Sequence, residues 1–275
     1  MSSRPPLIAI LILGLFVVLT VFGPHIAPFA PNKGSLSAQF VPPFGRDGDG
    51  VFHLLGTDQF GRDILSRMIY GTRISVSVAL VSISVAGIIG SIAGMVAGYY
   101  GGILDAILMR LVDITLSIPL FLIAIVLAAV VGPSTTNVVF AITVLLWPRY
   151  ARQLRGETLA LVRREFVEYS RVIHVSTPAI IVRHILPNVA PTLIVLMTWQ
   201  SGYVVLLESS LSFLGAGVPL PSPAWGAMVA EGMKYLTNQW WLSVLPSVAI
   251  VVLVLSVNIL GDWLRDRFDP ILTQA

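Results

Sequence analysis

Residues 74–98 read ISVSVALVSISVAGIIGSIAGMVAG and contain no charged side chain. A helix that crosses the hydrocarbon core of a bilayer needs about 20 mostly apolar residues, so this run predicts a transmembrane span. Gly90, Gly94 and Gly98 recur every four residues and therefore share one face of the helix. Small residues at this spacing let helix backbones approach closely in lipid, so we expect a partner helix there, in this subunit or in a related one.

The composition of the whole chain is that of a membrane protein. Of its 275 residues, 56% are hydrophobic and 11% are charged, whereas a soluble domain is near a quarter charged. A soluble chain this apolar would expose large adhesive patches. The absence of cysteine excludes disulfides and thiolate metal sites. The net charge of +3 is too small to indicate a nucleic-acid partner.

The apolar runs predict an all-α integral membrane protein with six transmembrane helices. The predicted spans are residues 7–23, 74–98, 117–131, 138–147 with a continuation towards 154, 188–214 and 240–260. They divide the chain into an anchor helix (1–23), an extracytoplasmic segment (24–73), a five-helix core (74–260) with a cytoplasmic loop (155–188), and a charged tail (261–275). We expect a polar link at 99–116 and a Pro- and Gly-rich loop at 215–239.

The first apolar run has a competing interpretation as a cleaved signal peptide. Ala30 is a small residue at a suitable place for cleavage, but Pro28 and Pro31 surround that bond and disfavour it. We therefore expect residues 7–23 to be retained as an anchor.

The basic residues predict the orientation of the spans. With six spans both termini lie on one side, and that side holds eleven basic residues: Arg4, Arg110, the seven arginines from Arg149 to Arg183, Arg265 and Arg267. The other side holds six: Lys33, Arg46, Arg62, Arg67, Arg73 and Lys234. Since basic residues concentrate on the cytoplasmic side, we expect both termini in the cytoplasm. Trp225, Trp240 and Trp241 should then lie near the outer interface.

The basic stretch between the fourth and fifth spans has the pattern of two short helices. Residues 164–188 read REFVEYSRVIHVSTPAIIVRHILPN. In the first helix, the predicted apolar face is Phe166, Ser170 and Ile173, and the predicted polar face is Glu165, Glu168 and Arg171. Such a pair is too polar to cross lipid, and it either docks into a soluble partner, lies on the membrane surface or forms a solvated loop.

The second short helix has a clear start signal. Ser176 or Thr177 can cap it, and Pro178 occupies its first turn. We expect it to end before Pro187, because proline lacks the amide that continues a helix.

This stretch resembles the cytoplasmic "EAA" loop of ABC-importer permeases, which reads Glu-Ala-Ala, three residues, Gly, nine residues, Ile, one residue, Leu-Pro. The matching residues here are Glu168, Tyr169, Ser170, His174, His184, Leu186 and Pro187. Both alanines are replaced, and His174 stands at the glycine that joins the two helices in the family. Histidine is among the non-glycine residues that best tolerate a left-handed backbone.

A second resemblance covers nearly the whole chain. Residues 53–63 read HLLGTDQFGRD, and Gly56, Thr57, Asp58, Gly61, Arg62 and Asp63 are similar to a signature of permeases for dipeptides, oligopeptides and nickel. Further matches follow in the family's order: Tyr99 to Gly102 with Asp105, Met109, Arg110 and Asp113; Leu211 to Gly215 with Trp225 and Gly226; and Gly261 to Asp266 with Asp269 and Pro270. The pattern is that of the C-type subunit of these importers.

The resemblance implies a type I importer-permease (MetI-like) fold and a multi-subunit complex. The partners it implies are a B-type permease, two cytoplasmic ATPases that bind ATP and Mg²⁺, an external solute-binding protein and the lipid of a bacterial or archaeal cell membrane. Glu165, Glu168 and their neighbours would couple this chain to an ATPase. Cargo would be di- or oligopeptides, nickel or a related solute.

Several single residues have two interpretations each. Glu208, inside the fifth span, is either a functional carboxylate or a hydrogen-bonding group between helices. Asp58, Arg62 and Asp63 form either an ion-paired outer loop, in which Gly56 and Gly61 indicate a tight turn, or a contact for the binding protein. Pro119 and Pro148 should kink their helices. His25 and His53 are too few and too far apart to predict a metal site.

Two other classes of protein remain as alternatives. A stand-alone secondary transporter would need ionisable groups near the membrane midplane, and Glu208 is the one plausible group. A membrane-embedded hydrolase would need a catalytic constellation, and no histidine lies inside a predicted span. The chain carries no P-loop, HExxH motif or nucleophile elbow, so we expect neither an active site nor a cofactor of its own.

Overall fold

The computed structural model describes residues 5–268, apart from the side chains of Leu120, Phe121 and Phe268. Arg4, Asp269, Pro270 and the end of the predicted tail lie outside these residues. The helices are α1 (Leu7–Ile26), α2 (Ile64–Tyr100), α3 (Gly102–Ser117), α4 (Leu120–Val131), α5 (Thr135–Val162), α6 (Glu165–Val172), α7 (Thr177–Ile180), α8 (Leu186–Phe213), α9 (Trp225–Met233) and α10 (Trp241–Phe268). The strands β1 (Gly45–Arg46) and β2 (Phe52–His53) form a small antiparallel ribbon.

The glycine face of α2 packs against α5, as its spacing predicts, and the partner helix belongs to the same chain. A Cβ atom at Gly90 would collide with the carbonyl oxygen of Trp147, and one at Gly98 would lie 2.7 Å from the Cβ of Thr158. Only glycine permits this approach of the two backbones. The main apolar core continues from this pair, with Val78, Ile142 and Val204 buried between α2, α5 and α8.

The helices around the second and third predicted spans are longer than the apolar runs that predict these spans. The helix of the second span begins at Ile64, ten residues before the predicted start, and the Asp63 side chain caps it by accepting a hydrogen bond from the amide of Ser66. Arg67 and Arg73 lower the hydropathy of this first part, although it is helical. The predicted polar link at 99–116 is the helix α3.

The prolines inside the bundle act differently from each other. Pro119 breaks the chain between α3 and α4, whose axes differ by 81°, so this kink is confirmed. α5 continues through Pro148 as one helix.

By length and composition, four helical stretches of the described chain can cross a membrane: α1, α2, α10 and the continuous stretch Thr177–Phe213. The bent pair α3–α4 would be a fifth.

A helix lies where the sequence predicts the Pro- and Gly-rich loop. α9 lies inside residues 215–239, and its first residue, Trp225, is buried and donates from its indole to the Met68 carbonyl oxygen. Trp241 is also buried and donates to the carbonyl oxygen of Thr57, whereas Trp240 is half exposed. Trp225 and Trp241 therefore do not face lipid, since both rings pack inside the protein, and their position near the outer interface stays a prediction.

Candidate functional site

The segment between α5 and α8 makes a left-handed turn at His174. The φ angle of this residue is 58°. The amide of His174 donates to the Arg171 carbonyl, and the amide of Val175 donates to the Ser170 carbonyl, both at 3.0 Å. This pair of bonds is the Schellman arrangement that ends helices, and it usually places glycine at the left-handed position. His174 therefore occupies the turn expected of the family's glycine.

The helix α6 before this turn packs one side on the bundle and leaves large apolar groups outside. Val167 and Ser170 are buried, Val167 in an apolar cluster with Leu154 and Ile180. The exposed side chains are Phe166, Tyr169, Val172 and Ile173, and Tyr169 and Val172 are 66% and 72% exposed. Of the predicted face of Phe166, Ser170 and Ile173, Ser170 alone is buried, and Val167 turns inward instead of Phe166.

The acidic residues of α6 lie in its first turn. Glu165 and Glu168 are exposed there, where the positive end of the helix dipole favours carboxylates. In the described part of the chain neither has an ion-pair partner. This end of α6 therefore offers two free negative charges beside exposed apolar groups.

The second half of the segment runs without a break into the long helix α8. Pro178 lies in the first turn of α7 as predicted, but the helix does not end before Pro187. A π-helical turn at Ile181–Ile185 joins α7 to α8, and in it the Leu186 amide donates to the carbonyl of Ile181. Such a turn shifts the hydrogen-bond register, which accommodates the missing amide of Pro187. His184 is partly exposed, with its ring 6.2 Å from that of Phe166.

An aromatic contact ties α6 to the end of α2. The guanidinium of Arg171 lies 4.7 Å from the centre of the Tyr99 ring, and its Nε donates to the Tyr99 hydroxyl at 3.3 Å. Cation–π contacts at exposed sites contribute roughly 0.5–1 kcal/mol. A displacement of α6 would therefore also displace the ends of two long helices, α2 and α8.

The outer signature is a buried, self-paired turn. Gly56 and Gly61 have φ angles of 80° and 69°, and Thr57 pairs with Asp63 in an isolated bridge. Asp58 accepts hydrogen bonds from the amide and the Nε of Arg62, the latter at 2.6 Å. The Thr57 hydroxyl donates to the carbonyl of Ala38.

Two residues that the sequence did not single out complete this outer network. Arg67, which is fully buried, and Arg62 both donate to Glu231 Oε2, at 3.2 and 3.1 Å. Arg67 Nε also lies 3.7 Å from Asp58. Glu231 belongs to α9, so the network joins the start of α2 to the outer helix. The interpretation of the loop as ion-paired agrees with this geometry, since Arg62 and Arg67 face Asp58 and Glu231 inside the protein.

The histidines do not assemble a metal site. His53 is buried with its Nδ1 2.9 Å from Asp63 Oδ1 and its Nε2 3.6 Å from Asp47 Oδ2. The backbone amide of Val51 donates to Asp47 and lowers the pKa of that carboxyl group. His25 is exposed at the end of α1. Within residues 5–268 no group of three or more His, Asp or Glu side chains has the geometry to hold a metal ion.

Comparisons with known proteins decide the family. Residues 90–274 match the model of the binding-protein-dependent transport system inner membrane component. The chain belongs to this family. The permease is 38% identical to a putative peptide transport system permease protein of Brucella suis, over 98% of this chain and 89% of the relative. It is also 38% identical to the dipeptide transport system permease protein of Haemophilus influenzae, over 99% and 92%.

A solved structure shares the fold of the permease. The MetNI methionine ABC transporter in an inward-facing conformation matches with a TM-score of 0.59 and 21% identity, over 74% of this chain and 97% of that chain. At this identity the match supports the all-helical, MetI-like fold alone. The family model and the full-length relatives identify the protein as a membrane-embedded permease subunit of a binding-protein-dependent transport system. This family is a transport component, so neither the secondary transporter nor the hydrolase applies.

Glu208 of the permease is a hydrogen-bonding group between helices. It is fully buried in α8 and accepts from the hydroxyls of Ser75 and Ser212, each at 2.9 Å. Ser75 belongs to α2, so the contact joins two long helices. The side chain is enclosed by protein, which agrees with its interpretation as a hydrogen-bonding group between helices.

Proposed function

We propose that the permease imports dipeptides or other short peptides and forms half of the translocation pathway beside a related B-type subunit. Two of the full-length relatives carry peptide or dipeptide transport in their names. Large apolar side chains are exposed on both α2 and α4, Ile88 and Ile92 on the first and Val126 and Val130 on the second. The second subunit would cover part of this surface, and lipid would cover the rest.

We propose that α6 is the coupling helix, which docks into a groove of a cytoplasmic ATPase. The observation that carries this proposal is the outward face of α6, where Phe166, Tyr169, Val172 and Ile173 are exposed beside the free carboxylates of Glu165 and Glu168. An amphipathic helix with an apolar outer face is suited to a partner's groove. ATP and Mg²⁺ would bind to the ATPase subunits, since this chain has no phosphate-binding loop.

The loop has the mechanical connections that coupling requires. His174 fixes the angle between α6 and α7, and the stretch Thr177–Phe213 continues from the loop through the whole bundle. Closure of two ATPases on ATP would displace α6, and the rigid α8 would carry the displacement to the outer end. Rocking of the helices in this way would alternate the access of the pathway between the two sides.

We propose that the permease crosses the inner membrane six times and has both termini in the cytoplasm. The four apolar helical stretches, the bent pair α3–α4 and the helix α5 would together make the six spans. The excess of basic residues on the side of the termini supports the orientation. An external solute-binding protein would deliver cargo to the opposite side, where the buried outer network keeps the receiving surface rigid.

The test of the proposed cargo is transport by the complete complex. The permease, its B-type partner and both ATPases are reconstituted in proteoliposomes, with the binding protein and a labelled dipeptide outside. We expect accumulation of the dipeptide that requires hydrolysable ATP. Accumulation of Ni²⁺ in the absence of peptide would mean that the cargo is Ni²⁺ and not a peptide. Uptake without ATP would contradict the whole proposal.

A further inference from the structure

The middle of α5 carries a cation without an acidic partner. Arg149 lies about halfway along this helix, one residue after Pro148. In the described part of the chain, ion pairs of the neighbouring arginines are present, with Arg152 bonded to Asp113 and Arg155 to Asp105, but Arg149 has none. Arg149 lies just after residues 138–147 of the fourth predicted span, at its cytoplasmic end, and a charged side chain beside the hydrocarbon core usually faces the bundle interior or a water-filled cavity.

Arg149 faces a cavity of about 190 Å³ between three helices. The end of α3 contributes Thr115, the break after it contributes Ile118, and α8 contributes Tyr203 and Leu207. Arg149 remains exposed in this chain, so its charge is accessible from the cavity. The site therefore combines a cation, a phenol and apolar walls at the point where the helix pair α3–α4 bends.

Neutral groups hold the guanidinium in place without cancelling its charge. The Arg149 guanidinium carbon lies 4.7 Å from the centre of the Tyr203 ring, and Nη1 lies 3.4 Å from the amide oxygen of the buried Gln200. Both contacts orient the planar group but leave most of its donors free. A guanidinium in this state matches a carboxylate, which it can bind through two parallel hydrogen bonds.

We propose that Arg149, oriented by Tyr203 and Gln200, binds the carboxylate of the peptide as it crosses the membrane. The inference rests on the proposed function, because peptide cargo supplies the carboxylate at its C-terminus. The apolar walls formed by Ile118 and Leu207 would accept side chains of varied shape, and the carboxylate would be the group that every peptide shares. The site would thus hold the peptide by its C-terminal carboxylate and discriminate weakly between peptide sequences.

The test compares two cargoes in two proteins. Uptake of a dipeptide and of its C-terminal amide is measured in proteoliposomes of the whole complex, with the wild type and with Arg149→Gln. The quantity of interest is the ratio of the two uptake rates. The selectivity of the binding protein enters both ratios equally and cancels, as does any general loss of activity, in the manner of a double-mutant cycle.

We expect the preference for the free carboxylate to fall by about tenfold or more in Arg149→Gln, since removal of one partner from a desolvated charged contact is expensive. Arg149→Lys should keep part of the preference because it keeps the charge. Arg152→Gln, three residues further along the same helix, should leave the ratio unchanged.

An unchanged ratio in Arg149→Gln would overturn the inference while leaving peptide transport intact. Equal loss of uptake for both cargoes also leaves the ratio unchanged and would overturn it, because Arg149 would then support transport independently of the carboxylate of the cargo. If the wild type accumulates neither cargo, the proposed peptide function fails and the inference falls with it.

Discussion

Gly94 of α2 lies directly against the carbonyl of Ala151 in α5. A Cβ atom at this glycine would overlap the Ala151 oxygen and lie 3.0 Å from the amide of Arg155. Both obstacles are backbone atoms, which cannot rotate away as a side chain can. This contact lies at the middle of the interface between α2 and α5. The main apolar core continues from that interface.

Gly94→Ala should therefore destabilise the permease, by roughly 1–3 kcal/mol as for overpacked cores. The matched control is Gly14→Ala in α1, because a Cβ at Gly14 meets nothing within 4 Å. Heating of the solubilised complex, followed by measurement of the monodisperse fraction, should show a loss for Gly94→Ala alone. Equal resistance of both variants would mean that the interface between α2 and α5 yields more easily than its backbone contacts indicate.

The outer network should be equally sensitive to the loss of one carboxylate. Glu231→Gln removes the charge that faces both Arg62 and Arg67, and it leaves Asp58 to balance two buried cations. Breaking a buried pair in this way costs on the order of 3 kcal/mol. Asp49→Asn, which changes an exposed carboxylate of the same outer segment, is the control. The thermal stability of the two variants should differ clearly, and equal stability would show that Glu231 is dispensable.

The turn at His174 should depend on backbone conformation and not on the imidazole. His174→Gly should transport normally, because glycine reaches a φ angle of 58° freely. His174→Val should impair transport, since the left-handed conformation costs L-residues roughly 1–2 kcal/mol and more when they are β-branched. Peptide uptake measures both. Loss of uptake in His174→Gly would reveal a specific contact of the ring with a partner.

The orientation can be measured with cysteine, because the chain has none of its own. Single cysteines at Ser2 and Thr273, two positions outside the described residues, should resist an impermeant thiol reagent in intact cells. A cysteine at Gly48, in the exposed outer segment, should react. A labelled terminus together with an unlabelled position 48 would invert the proposed topology.

Four of the six predicted spans coincide with long apolar helices of the structure, but the ends of these helices differ from the predicted ones. Hydropathy falls at Arg67 and Arg73, so the predicted span starts after them, yet α2 begins at Ile64. The acid that neutralises Arg67 is Glu231, and no local pattern can show a partner so distant in the chain. Prolines at 219, 221 and 223 indicate a loop, but they lie before α9, which begins only at Trp225.

The coupling segment is predicted in outline and wrong in detail for a similar reason. The left-handed turn follows from the position of His174 in the family's frame, and its φ angle confirms it. The buried face of α6 does not follow, because Phe166 and Val167 are both apolar and a helix of eight residues is too short for periodicity to choose between them. The tertiary contact with Leu154 and Ile180 makes that choice.

The most direct test of the account measures ATP hydrolysis and peptide uptake together in Glu168→Arg. Glu168 is exposed at the start of α6 beside the apolar face that would enter the ATPase groove. Reversal of its charge should leave the complex assembled but reduce uptake by about tenfold or more, and hydrolysis should stop responding to the loaded binding protein. The control Asp49→Arg makes the same change on the outer side and should transport normally. Full uptake and normal stimulation in Glu168→Arg would contradict the claim that α6 couples this permease to an ATPase.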